Sequence, residues 1–204
     1  MIAIIDYGLG NIKAFANVYK NLNIPIIIAN KPNQLEGADK IILPGVGAFD
    51  YAMQRFNDSG MREKVDDLVL NKNIPVMGIC VGMQMLALSS EEGKLPGLGW
   101  IDAKVKRFDP STFDNPACIP HMGWNDVNPV GTNQLLMNLE ENARFYFLHS
   151  YYFHCNSPED TIAIANYGLQ FSCAVRYKNI FGVQFHPEKS HRWGIQLLKN
   201  FAEI

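Results

Sequence analysis

Gly78-Ile79-Cys80-Val81-Gly82 closes a short apolar run, residues 75–79, and opens onto a helical pattern over 83–88. A strand, a tight glycine-flanked turn and a helix form the context of a nucleophile elbow, here with cysteine at the centre. The sharp turn strains the backbone of the central residue, and glycines on either side leave room for the close packing this demands. The sulfur then projects from the carboxyl edge of a sheet. The following helix would present its N-terminal N–H groups and positive dipole end to it, which favours thiolate, the reactive form. The pentapeptide alone also fits a buried cysteine at a tight turn, so a base must be found elsewhere in the chain.

Working outward, residues 2–5, 26–29 and 40–43 read as further strands, the last stopped by Pro44-Gly45. Helical patterns cover 11–22, 49–56 and 61–70. In the first of these Ile12, Phe15, Ala16, Tyr19 and Leu22 recur at three- and four-residue steps. Alternating strands and helices predict a parallel sheet covered on both faces. The second half is richer in strands, over 101–108, 145–148, 161–165, 172–177 and 181–185. Residues 109–120, with three prolines, read as a surface loop. Residues 157–160 fit either a capping box or a turn. A closing helix over 194–201 would set Ile195, Leu198 and Phe201 on one face. With no linker or repeat, residues 1–204 read as one α/β domain with added antiparallel strands.

The base is expected in His186-Pro187-Glu188, directly after the strand 181–185. Side chains two apart in an extended segment share a side, and Pro187 disfavours a helical His186. His186 could then exchange a proton with Cys80, while Glu188 accepts from the other ring nitrogen and fixes the tautomer. A histidine at a strand end is by itself more often structural. Its weight comes from occurring with the elbow.

Acyl transfer from an amide builds negative charge on the carbonyl oxygen, and each N–H donor aimed there is worth about 3 kcal/mol. One donor would be the N–H of Val81. A second would come from the glycine-rich loop after the third strand, near Val46 or Gly47. Gly45 and Gly47 would make a peptide flip there cheap. In isolation this loop reads as a simple strand-to-helix turn.

Of the 204 residues, 48% are hydrophobic and 19% charged, with a net charge of −2. That suits a sizeable buried core and makes nucleic acid or an anionic membrane a poor partner. No apolar stretch is long enough to span a bilayer, and the first residues lack signal-peptide features. Cys80, Cys118, Cys155 and Cys173 show no CxxC spacing, so a reduced, cytoplasmic chain is expected, with the last three packing residues. His121, His149, His154, His186 and His191 lack metal-site spacing, and no metal or cofactor is expected.

The chain resembles the class I glutamine amidotransferases over nearly its whole length. The carrying segments are Asp6-Tyr-Gly-Leu-Gly-Asn11, Pro44-Gly-Val-Gly47, Gly78-Ile-Cys-Val-Gly-Met-Gln84, Pro120-His-Met-Gly-Trp-Asn125, Tyr146-Phe-Leu-His-Ser-Tyr151 and Phe181-Gly-Val-Gln-Phe-His-Pro-Glu-Lys-Ser190. The segment 120–125 points to the glutaminase subunits that serve imidazole glycerol phosphate synthase in histidine biosynthesis. Val81 stands where leucine is usual, and Leu9 departs from the pattern of its segment.

The resemblance implies a flavodoxin-like fold and a Cys80–His186–Glu188 triad that hydrolyses glutamine through a thioester. It implies that Gly45, Gln84, His149, Ser150 and Tyr151 hold the substrate. It also implies a heterodimer with a (β/α)8-barrel synthase, fed with ammonia, that makes imidazole glycerol phosphate and AICAR from PRFAR. Asn11, Trp124 and Lys189 match its interface positions. A paralogue supplying ammonia to a surface-polysaccharide sugar amidotransferase stays open, and residues 89–100 and 191–193 are compatible with it. So do a stand-alone cysteine hydrolase and a non-catalytic binding subunit.

Overall fold

The computed structural model describes residues 1–113, 118–139 and 142–204. In chain order the strands and helices begin with β1 (Ile2–Ile5), α1 (Ile12–Asn21), β2 (Ile26–Ala29), β3 (Lys40–Gly45), α2 (Phe49–Asp58) and α3 (Arg62–Asp66). The elbow contributes β4 (Val76–Cys80) and α4 (Val81–Gln84). Then come β5 (Ser89–Ser90), β6 (Ala103–Arg107), β7 (His121–Asp126), β8 (Asn128–Pro129), β9 (Arg144–His149) and β10 (Tyr151–Cys155). β11 (Thr161–Asn166), β12 (Gln170–Tyr177), β13 (Ile180–Val183) and α5 (His191–Glu203) complete the order.

The main sheet runs β2-β1-β3-β4-β13-β12-β10-β6-β5. Its first five strands are parallel, in the 2-1-3-4-5 order of flavodoxin-like doubly wound sheets. β12 then turns antiparallel to β13 and begins a wing that stays antiparallel through β10 and β6, with the short β5 parallel to β6 at its edge. β1, β4 and β13 are buried at every position, as strands covered on both faces should be. β7 and β9 form a separate antiparallel ribbon, tied to the main sheet by a bridge between Tyr146 and His186.

Several expectations shift. Pro44-Gly45 continues β3 instead of ending it, because Pro44 pairs with Ile79 and Gly45 with Cys80 in the parallel ladder. The helix after the elbow starts at Val81 and lasts a single turn, ending at Gln84. The helix over 61–70 is α3 followed by a wider turn over Asp67–Asn71. Residues 157–160 form a turn, not a capping box, since the Ser157 side chain caps nothing. On α5 the buried face is Gly194, Leu197, Leu198 and Phe201, while Ile195 is exposed. The loop expected over 109–120 lies partly outside the described residues. β7 was not foreseen, because its hydrophobic pattern is inverted: His121 is buried while Met122 and Trp124 face out. β10 was missed for a different reason, its apolar run merging with that of β9 across Ser150. Among the described residues no helix is long and apolar enough to cross a membrane.

Candidate active site

Cys80 ends β4 with φ +56° and ψ −114°, a conformation that costs a non-glycine residue about 1–3 kcal/mol and persists only when its surroundings impose it. The surroundings are backbone against backbone. A Cβ on Gly82 would meet the Leu43 carbonyl oxygen at 2.0 Å, and one on Gly78 would meet the Gly82 carbonyl oxygen at 2.5 Å. A Cβ on Gly45 would lie 2.3 Å from the Gly82 nitrogen. Strand β3 thus presses on the elbow and holds its shape. α4 has too few aligned peptides for a full macrodipole, so the electrostatic help expected at the sulfur shrinks to the free N–H groups of one turn.

His186 follows β13 with extended backbone. Its N–H donates to the Tyr146 carbonyl at 2.8 Å, and its carbonyl accepts from Ser190 Oγ at 2.6 Å. Ser190 Oγ in turn accepts from the Tyr146 N–H at 3.0 Å. The ring Nδ1 lies 3.0 Å from Glu188 Oε1, and the two side chains are 5% and 1% exposed. Glu188 reaches it from the turn Pro187–Lys189, not from an alternating strand as the spacing suggested. The second carboxylate oxygen of Glu188 is buried with no hydrogen-bond partner among the described residues. Burial works against a charged imidazole. The nearby Cys80 sulfur and the hydrogen-bonded Glu188 carboxylate outweigh it and raise the His186 pKa above the ordinary histidine value. With Nδ1 on Glu188, Nε2 is the nitrogen left for the sulfur.

A cavity of ≈ 330 Å³ opens beside Cys80, within the usual range for small-ligand sites. Its wall brings together Val46, Gly47, Cys80, Val81, Gln84, His149, Ser150, Tyr151, His186 and Lys189, with Glu92, Pro120 and Leu148. Gly45 is not on this wall. It packs behind, against Gly82, so a cheap peptide flip falls to Val46-Gly47, where Gly47 has φ +88° and open space around its α-carbon. Glu92 was missed by sequence reasoning. Its Oε2 accepts from the Phe49 N–H at the start of α2 at 2.8 Å, fixing a carboxylate at the wall. Residues 89–100 show no periodicity that would have flagged it.

Gln84 and Gln184 form a buried amide pair under the cavity. Gln84 Nε2 donates to Gln184 Oε1 at 3.1 Å and to the Tyr151 carbonyl at 3.2 Å, and Gln184 Nε2 lies 3.9 Å from Cys80 Sγ. All four cysteines are free, and Cys118 is exposed, not packed as expected.

Of the expected interface residues, Trp124 is half-exposed on β7 and stacks on His191 with centroids 5.3 Å apart. The Lys189 ammonium lies 5.6 Å from the centre of the Tyr146 ring, which itself contacts Trp124 edge-on. Asn11 is exposed and immediately precedes α1, which packs against the turn carrying Lys189. Trp124 and Lys189 therefore sit together around Tyr146, while Asn11 is exposed at the start of a helix that touches the same turn.

The family model "Glutamine amidotransferase class-I" matches residues 3–204. A protein of Bdellovibrio bacteriovorus named imidazole glycerol phosphate synthase subunit HisH is 60% identical over 100% of both chains. One of Leptospira borgpetersenii with the same name is 55% identical, again over 100% of both. A crystal structure described as glutamine amidotransferase superposes with TM-score 0.71 at 21% identity, covering 97% of this chain and 98% of that one. The elbow, the histidine beside it and a family match running almost end to end carry one conclusion: the chain belongs to the class I glutamine amidotransferases.

Proposed function

We propose that this chain is the glutaminase subunit of imidazole glycerol phosphate synthase, acting as a single cytoplasmic domain over residues 1–204. It hydrolyses glutamine to glutamate and ammonia. The ammonia passes to a (β/α)8-barrel synthase subunit, its heterodimer partner, which converts PRFAR to imidazole glycerol phosphate and AICAR. The observation that carries the reading is His186, hydrogen-bonded to Glu188 through Nδ1 and sharing with Cys80 the wall of a cavity sized for an amino acid.

The chemistry follows from that order. Cys80 Sγ attacks the side-chain amide carbon of glutamine. The new oxyanion takes hydrogen bonds from the Val81 N–H and, after a flip of the Val46-Gly47 peptide, from the second loop. His186 Nε2–H protonates the leaving nitrogen, which departs as ammonia, and Cys80 is left as a glutamyl thioester. Water attacks the thioester carbonyl as His186 takes up its proton. Glutamate leaves, and the S–C bond breaks to return Cys80. Glu188 keeps the imidazole in the required tautomer throughout.

Glutamine carries a fixed ammonium and a fixed carboxylate. Glu92 supplies a counter-charge for the first, and Ser150 and Tyr151 supply polar groups for the rest, with Gln84 and His149 holding that connection from behind through the Tyr151 carbonyl. Asn11, Trp124 and Lys189 form part of the docking face. Docking has a physical purpose, since free ammonia in water at neutral pH becomes ammonium, which is not a nucleophile, and a partner excludes that water.

The test is reconstitution. Mixed with the barrel synthase and PRFAR, the chain should hydrolyse glutamine and support imidazole glycerol phosphate formation, and Cys80→Ala should abolish both. Stimulation only by a sugar-modifying synthase would overturn the histidine assignment. Peptide hydrolysis without glutamine hydrolysis would overturn the glutaminase reading itself.

A further inference from the structure

We propose that His121 and His149 are positioning residues of the glutamine site, forming the middle of a one-directional hydrogen-bond chain that holds the 149–151 connection in place. This rests on the glutaminase reading above and concerns residues that do not touch the reacting atoms.

The chain can be read from either end. At the cavity end, His149 Nδ1 lies 2.7 Å from the Tyr151 carbonyl oxygen. A carbonyl only accepts, so Nδ1 carries the proton, and in the neutral ring Nε2 is a bare acceptor. His121 Nδ1 lies 2.9 Å from that Nε2 and must donate to it. At the far end, Asn125 Oδ1 accepts from the Asp126 N–H at 2.8 Å, and Asn125 Nδ2 donates to the Asn166 carbonyl at 2.9 Å. These two bonds fix which way the amide points. Its second N–H faces His121 Nε2 at 3.3 Å, which must therefore accept, leaving the proton of His121 on Nδ1. Both ends give the same two tautomers, and every donor meets an acceptor.

The surroundings leave the rings little freedom. His121 is stacked between Phe147 and Tyr167, with centroids 4.7 Å and 4.0 Å away. His149 is flanked by Phe108 and Phe171 at 5.4 Å and 5.3 Å. Burial lowers the His121 pKa to about 4. Burial first, then the nearby charges of His121 and His186, against the Tyr151 carbonyl, lower that of His149 to about 3. The neutral forms that the chain needs are the ones present at pH 7.

What the chain holds matters to the cavity. The Tyr151 carbonyl also accepts from Gln84, so His149 fixes the acceptor that orients Gln84 beside Cys80. Ser150, between β9 and β10, and Tyr151, the first residue of β10, are themselves on the cavity wall. A shift of this connection would move three substrate-facing groups at once.

The experiment uses the full chain carrying Cys80→Ala, so that glutamine binds without turnover, and reads glutamine affinity by calorimetry and histidine tautomers by ¹⁵N NMR. His121→Phe keeps an aromatic ring in the stack but leaves His149 Nε2 without a donor. It should weaken glutamine binding about tenfold, because the 149–151 connection then shifts to bring His149 Nε2 to a new donor and leaves its binding position. His121→Asn, whose side-chain N–H can sit near the lost Nδ1–H, should restore affinity to within about threefold. In the chain with both histidines present, His149 should show the Nδ1–H tautomer at pH 7, a readout independent of any variant's folding. An Nε2–H or charged His149, or His121→Phe binding glutamine as tightly as the parent, overturns the inference. If the parent binds no glutamine, the glutaminase reading fails instead, and the inference with it.

Discussion

His186 Nδ1 and Glu188 Oε1 lie 3.0 Å apart in side chains nearly closed to solvent. A buried carboxylate on one imidazole nitrogen stabilises the charged ring and leaves the other nitrogen for the sulfur. His186→Ala should lower glutaminase kcat by about 10²–10⁴-fold, the range for a general acid–base group. Glu188→Gln should cost less, because it orients the ring without transferring the proton. It should also move the alkaline limb of kcat/KM to lower pH, since Glu188 helps raise the His186 pKa. Equal losses with an unmoved limb would contradict the orienting role.

The buried pair His121 and His149 makes a prediction about stability. Their pKa values fall from 6.5 to about 4 and about 3. Between those values and 6.5 the unfolded chain binds protons that the folded chain refuses. Their stabilising contribution is therefore full above 6.5 and is lost as pH falls through that window. Tm should drop from pH 7 to pH 5, and a His121→Phe, His149→Leu double variant should show a flatter slope. His186, with a raised pKa, contributes a smaller slope of opposite sign near pH 6.5–7, where the unfolded imidazole is still taking up its proton, and none well below 6.5. A double variant whose Tm falls as steeply as the wild type's over this range would show that the two rings are not held neutral.

Gly82 and Gly47 should respond differently to alanine. A Cβ on Gly82 would overlap the Leu43 carbonyl, and overpacking of this kind costs about 1–3 kcal/mol or more. Gly82→Ala should lower Tm by several degrees along with activity. Around Gly47 there is open space, and only its φ of +88° resists a side chain. Gly47→Ala should lower Tm only by the few degrees that a side chain at positive φ costs, about 1–2 kcal/mol, and lower kcat by hindering the peptide flip. Thermal melts beside steady-state kinetics check both.

Glu92 should matter for binding more than for chemistry. Glu92→Gln removes a carboxylate charge from the cavity wall, the proposed partner of the glutamine ammonium, while keeping an oxygen for the Phe49 N–H. A charge-assisted hydrogen bond of about 1.5–3 kcal/mol corresponds to a rise in glutamine KM of roughly 10- to 100-fold. The value of kcat should change little. A lowered kcat at constant KM would place Glu92 in the chemical step.

The parallel core was legible because its strands announce themselves. Ile2–Ile5 and Val76–Cys80 are continuous apolar runs between helical patterns, the signature of strands buried on both faces. The elbow was legible because close backbone approach at Gly78 and Gly82 leaves a compositional mark. β7 was not, because a buried imidazole at His121 and outward Met122 and Trp124 invert the usual alternation. Glu92 was hidden for another reason. Its place is set by a hydrogen bond to Phe49, 43 residues away, which no local pattern encodes. The His121–His149 contact depends likewise on the register of β7 against β9.

Labelling with a glutamine-analogue electrophile, followed by peptide mapping, tests the reactivity of Cys80 most directly. Of the four free thiols only Cys118 is exposed, while Cys80 is buried. Accessibility alone would therefore direct a reagent to Cys118. Glutamine-site chemistry requires the label on Cys80, blocked by excess glutamine and slowed in His186→Ala. Label on Cys118 with none on Cys80 would contradict it.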